Sequence, residues 1–121
     1  MRVLIADDDR DVADMLALFV RDAGHDVTTV TTGGLDVIHA YDRCKPDLVI
    51  MDVMMPRFNG ITVSHALLSK NPPARLVLMS GKLMADHPFI EASGVARFLP
   101  KPLHLADVRA LLAEFAPKAA A

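Results

Sequence analysis

The chain has 121 residues, enough for one domain with its own core, and 52% of them are hydrophobic, which excludes an intrinsically disordered protein. A formal net charge of −2 excludes nucleic-acid binding by bulk charge, and the single cysteine, Cys44, excludes an intrachain disulfide and suits a reducing compartment. No apolar stretch approaches the roughly 20 residues that span a membrane. The chain opens directly on a strand pattern rather than a signal segment, so the expected setting is the cytoplasm.

Short apolar runs alternate with helical patterns. RVLIA (2–6) reads as a buried strand. Val12, Met15, Leu16, Phe19, Val20 and Ala23 recur at three- and four-residue spacing, which predicts an amphipathic helix stopped at Gly24. DVTTV (26–30) is a shorter strand, and Leu35, Ile38 and Tyr41 predict a second helix ending before Pro46. DLVIM (47–51) is the most continuous apolar strand. Ile61, Val63, Leu67 and Leu68 predict a third helix that ends before NPPA, and RLVLM (75–79) is a fourth strand. Pro88 suits the first turn of a helix and not its interior. It predicts a short helix at 87–93 after a long, mobile loop at 81–86. ARFL (96–99) is a fifth strand, and Pro100 beside it lacks a backbone donor, which a sheet edge tolerates. Leu105, Val108, Leu111, Leu112 and Phe115 form a final amphipathic helix. The tail, APKAAA, reads as a frayed end or the stump of a linker.

Five strands alternating with five helices predict an α/β fold with a mainly parallel sheet covered on both faces. The continuous apolar runs at 2–6, 47–51 and 75–79 are those of strands buried on both sides. In such sheets functional groups gather beyond the carboxyl ends of the strands. There the sequence puts Asp7, Asp8 and Asp9 after the first strand and Asp52 after the third. Ser80 and Gly81 follow the fourth, and Lys101 follows the fifth. Adjacent carboxylates repel, so their convergence calls for a cation. A hard divalent ion with oxygen ligands, Mg²⁺ above all, fits them. Mg²⁺ together with Lys101 suits a dianionic phosphoryl group, to which Ser80 is able to donate a hydrogen bond. Asp52 is then either a metal ligand or the nucleophile that receives the phosphoryl group. Asp9 also reads as the N-cap of the first helix, with Asp11 favourable in its first turn.

ADDD (6–9), DLVIMDVMMPRFNG (47–60), LMSG (78–81) and FLPKP (98–102) occur in the order and spacing of a known family. Over residues 2–115 the chain resembles a CheY-like response-regulator receiver domain, the phosphoacceptor half of two-component signalling. The resemblance implies a flavodoxin-like, doubly wound (βα)5 sheet of strand order 2-1-3-4-5. It implies phosphorylation of Asp52 by a phosphohistidine on a histidine kinase or phosphotransfer protein. Asp8 would ligate Mg²⁺ directly, Asp7 through the metal's water shell, and the backbone carbonyl of Met54 would complete the protein ligands. Lys101 would pair with Asp52 or with the phosphoryl oxygens, and the Lys101–Pro102 bond would be cis. Ser80 would bond the phosphoryl group in the active state, and Phe98 stands at the family's aromatic switch position. Met54 and Lys82 stand where phosphoryl lifetime is tuned, and an apolar Met54, unable to orient a water, implies slow hydrolysis. Gly81 leaves the site unshielded by a side chain at that position.

The expected domain is 1–116, followed by a tail at 117–121. Its output would be a protein–protein interaction through the fourth helix, fifth strand and fifth helix. Neither direct nucleic-acid nor membrane binding is expected, nor turnover as an enzyme. A free-standing protein and a receiver from a longer chain both remain open. The five histidines, at 25, 39, 65, 87 and 104, show no metal-like clustering and read as surface or helix-terminal residues. Two rivals are a haloacid-dehalogenase-type phosphatase, with Asp7 as nucleophile, and a degenerate receiver that acts only as a docking module.

Overall fold

The computed structural model describes residues 1–83 and 86–117. The tail expected at 117–121 therefore lies, Pro117 apart, outside the described residues, as do Met84 and Ala85 of the loop expected at 81–86.

Five strands form one parallel sheet in the order β2-β1-β3-β4-β5. They are β1 (Arg2–Ala6), β2 (Asp26–Val30), β3 (Leu48–Asp52), β4 (Leu76–Ser80) and β5 (Arg97–Pro100). The helices between and after them are α1 (Arg10–Asp22), α2 (Gly34–Cys44), α3 (Gly60–Lys70), α4 (Pro88–Ala92) and α5 (Leu105–Phe115). Side chains alternate along each strand, so the sheet carries two cores. Val3, Ile5, Leu48, Ile50, Val77 and Met79 pack under α1 and α5. Leu4, Ala6, Val49, Met51, Leu76 and Leu78 pack under α2, α3 and α4. All residues of β3 and β4 are buried, as their unbroken apolar runs require. No helix among the described residues is long and apolar enough to cross a membrane.

Three strands lie one residue later than their sequence patterns, each leaving out its expected first residue, Asp47, Arg75 or Ala96. β3 takes in Asp52, β4 takes in Ser80 and β5 takes in Pro100, so Asp52 and Ser80 are terminal strand residues rather than the first residues beyond. The reason is ladder bonding: Val53 N donates to Met79 O at 2.9 Å and Lys101 N to Ser80 O at 2.9 Å, extending the pairing past the last apolar residue. The apolar faces shift as well. Met15 and Leu105, expected in buried stripes, are 43% and 41% exposed. The small residues Ala13 and Ala17 instead let α1 approach the sheet.

Asp9 caps α1, its carboxylate accepting from the N–H groups of Asp11 and Val12 at 3.0 and 3.4 Å. Pro88 opens α4, as expected, with His87 at the cap position. Replacing Asp9 with Ala removes the cap, and chemical denaturation should show a loss of about 1 kcal/mol.

Candidate functional site

Because the strands are parallel, their carboxyl ends share one edge, where the β1–α1, β3–α3, β4–α4 and β5–α5 loops meet. Asp7, Asp8 and Asp52 converge there, each offering a carboxylate oxygen within 4.8 Å of the others. Asp7 is fully buried. Its Oδ1 accepts from the Asp9 N–H at 2.9 Å, and its Oδ2 lies 2.7 Å from Lys101 Nζ. Asp52, 6% exposed, has Oδ2 3.3 Å from the same ammonium. Asp8 stands exposed at the mouth.

Lys101, expected to pair with Asp52 or with phosphoryl oxygens, does pair with Asp52, and a shorter contact to Asp7 was not expected. The peptide bond after it is cis, as expected. Burial weakens the preference of Lys101 for its charge. The Asp7 hydrogen bond and the charges of Asp52 and Asp7 outweigh that and raise its pKa above the ordinary value. Burial raises the Asp52 pKa, and the charge of Asp7 adds to the effect, while Lys101 and the Met54 backbone N–H hold it back. Two buried carboxylates thus share one lysine, with Asp8 a third beside them, and ionising Asp52 there works against burial and the charge of Asp7. Oxygen donors in this number fit a hard divalent cation.

Ser80 is buried, and its Oγ accepts from the N–H groups of Lys82 and Leu83 at 3.0 and 3.1 Å. Met54 is 50% exposed, while its neighbours Val53 and Met55 are buried. Gly81 is adjacent, and a Cβ there would meet only ordinary contact with Lys101. Lys82 takes part through its backbone; its side chain is exposed. Phe98 is half-buried and pairs with Leu78, two residues short of Ser80, so it lies back from the carboxylates. Two features escaped the sequence pattern. One is the priority of the Asp7–Lys101 pair. The other is the backbone contact of Gly33 and Gly34 with the β3–α3 loop, for which the only signal was a Gly-Gly doublet before the second helix.

Residues 3–113 match the response regulator receiver domain, and the chain belongs to that family of two-component signalling proteins. It is 34% identical over 103 residues to the chemotaxis protein CheY of Thermotoga maritima, covering 84% of this chain and 85% of that protein. It is 33% identical over 115 residues to the DNA-binding response regulator MtrA of Mycobacterium leprae, covering 92% of this chain and 51% of that one. The chain spans about half the length of the mycobacterial regulators it matches. The chemotaxis response regulator CheY4 of Vibrio cholerae shares the fold with a TM-score of 0.86 at 22% identity, over 94% of this chain and 97% of that one. So does the response regulator TrrA of Thermotoga maritima, solved in complex with Mg²⁺–BeF, with a TM-score of 0.85 at 18% identity over 94% and 97%.

The raised Asp52 pKa has a consequence for stability. A carboxyl whose folded pKa exceeds its unfolded value stabilises the fold below the unfolded pKa and loses that contribution as pH rises through the folded one. Without Mg²⁺, Asp52→Asn should melt at a higher temperature than wild type at neutral pH. The gain should vanish as pH falls towards the ordinary value of 3.8. Thermal melts across that range check both signs.

Proposed function

We propose that this receiver domain, residues 1–116, accepts a phosphoryl group on Asp52 from a phosphohistidine of a histidine kinase or phosphotransfer protein. The observation that carries the reading is the convergence of the Asp7, Asp8 and Asp52 carboxylates at the carboxyl edge of the sheet, with Lys101 paired to Asp7 and Asp52. The cation would be Mg²⁺, which Asp8, Asp52, the Met54 carbonyl and, through the metal's water shell, Asp7 would hold. When bound, it offsets the surplus negative charge and stabilises the phosphoryl oxygens. The Mg²⁺–BeF complex of TrrA supports the choice.

An Asp52 oxygen forms the bond to phosphorus while the bond from phosphorus to the donor's imidazole nitrogen breaks, the electron pair leaving with the imidazole. Lys101, held by Asp7 beside Asp52, would meet the charge that gathers on the phosphoryl oxygens with little reorganisation. Ser80 Oγ accepts two N–H groups, leaving its own proton to donate to a phosphoryl oxygen. Drawn inward, it pulls the backbone of Lys82 and Leu83 with it. The added charge of about −1.5 to −2 is what drives that movement. Phe98 turns with the loop, and the face of α4, β5 and α5 passes the change to a downstream protein. Phe89, 63% exposed on α4, belongs to that face. The domain catalyses its own modification without turnover on a separate substrate, and a kinase-coupled module of this kind works in the cytoplasm.

The phosphatase reading needs Asp7 as nucleophile, yet Asp7 is fully buried with both oxygens bonded. A docking-only module has no use for the convergent carboxylates.

Acetyl phosphate with Mg²⁺ should give an adduct that peptide mass mapping places on Asp52. Asp52→Asn and Asp8→Ala should abolish it, whereas Asp9→Ala should retain it. An adduct on Asp7, or none in wild type, would reject the reading. Met54→Asn, which puts a water-orienting amide at the mouth, should hydrolyse its phosphoryl group several-fold faster than wild type, read as the decay of the isolated adduct.

A further inference from the structure

We infer that the Gly33–Gly34 doublet at the start of α2 is a positioning device for the Mg²⁺ site, acting through the β3–α3 loop; this rests on the functional reading above. The loop runs from Val53 to Asn59, and its Met54 carbonyl is the proposed backbone ligand. On one side that carbonyl is fixed by the sheet: Val53 N donates to Met79 O, and Gly60 N to Val53 O, both at 2.9 Å. On the other side, one residue beyond Met55, the loop turns sharply. Phe58 N donates to Pro56 O at 3.0 Å around Arg57, whose φ is +71°. This is a γ-turn of the rare positive-φ kind, strained for a residue with a side chain.

The Pro56 carbonyl that closes this turn also accepts from Gly34 N at 3.1 Å. Gly34 N–H opens α2, and no side chain caps that helix, so the loop carbonyl takes the capping role. The two backbones meet too closely for any side chain. A Cβ on Gly34 would lie 2.0 Å from Phe58 O, and one on Gly33, where φ is +132°, 2.6 Å from Pro56 O. The α2 N-terminus therefore clamps a strained turn, and the clamp sets where the Met54 carbonyl points. The doublet positions the ligand without touching the metal.

Gly34→Ala forces the loop away. Replacing Gly34 with glycolate by semisynthesis deletes the N–H donor, adds no Cβ and weakens the Gly33 carbonyl as acceptor only slightly, and it tests the same clamp should the alanine variant not fold. Mg²⁺ binding is measured by calorimetry beside a core variant, Val108→Ala on α5, that lowers stability without touching the loop. Removing the support of a metal ligand weakens affinity by about 10-fold or more. The expected result is that loss in the Gly34 variants and wild-type affinity in Val108→Ala, with faster hydrogen exchange at the Phe58 amide of the metal-free Gly34 variants. Wild-type affinity in the Gly34 variants, or an equal loss in Val108→Ala, overturns the inference while leaving the functional reading intact. A wild-type protein that binds no Mg²⁺ overturns both.

Discussion

One ammonium group between two buried carboxylates is the constraint around which the rest of the molecule is arranged. Lys101 Nζ lies 2.7 Å from Asp7 and 3.3 Å from Asp52, and Asp8 stands open beside them. In a partly buried site such charges interact far more strongly than in water, and one cation does not balance three anions. Burial first, and the charge of Asp7 after it, leave Asp52 with a raised pKa. The asymmetry of the lysine matters too. Its firmer bond is to Asp7, which also accepts the Asp9 N–H, so the lysine is anchored to a fixed wall while Asp52 remains the less committed partner.

Holding those groups together requires a rigid frame, and the parallel sheet supplies it. β1, β3 and β4 are buried on both faces, so Asp7, Asp52 and Ser80 project from adjacent strands whose register is set by backbone bonds. The loops beyond are tied individually. Asp9 caps α1, Ser80 Oγ gathers the Lys82 and Leu83 amides, and Pro56 O caps α2. Each tie satisfies backbone groups that a buried loop would otherwise leave unpaired. Each also ties the edge of the site to a helix or loop beyond it.

The elements themselves were legible because hydrophobic spacing reports burial directly. Every strand and helix was readable, including the short α4, expected at 87–93 from Pro88's fit to a first turn and found at Pro88–Ala92. What spacing does not report is hydrogen bonding, and the misplaced strand ends lay at Asp52, Ser80 and Pro100, polar or proline residues recruited by ladder bonds. Nor does it weigh small residues well: Ala13 and Ala17 face the core of α1, while the larger Met15 lies near solvent. At the site, the identity of the acidic residues was legible from their places after strands. Which carboxylate holds the lysine was not.

The sequence by itself determined the order of strands and helices, the chemistry available at the carboxyl edge and the family to which the motifs point. These follow from local periodicity and residue type, which need no knowledge of distant contacts. Only the tertiary structure decided that Lys101, 94 residues from Asp7, bonds it more closely than Asp52. It alone decided that Gly34 lies against the backbone of Phe58. Both are meetings of segments far apart in the chain, and their distances are set by the packing of helices on the sheet rather than by any pattern along it.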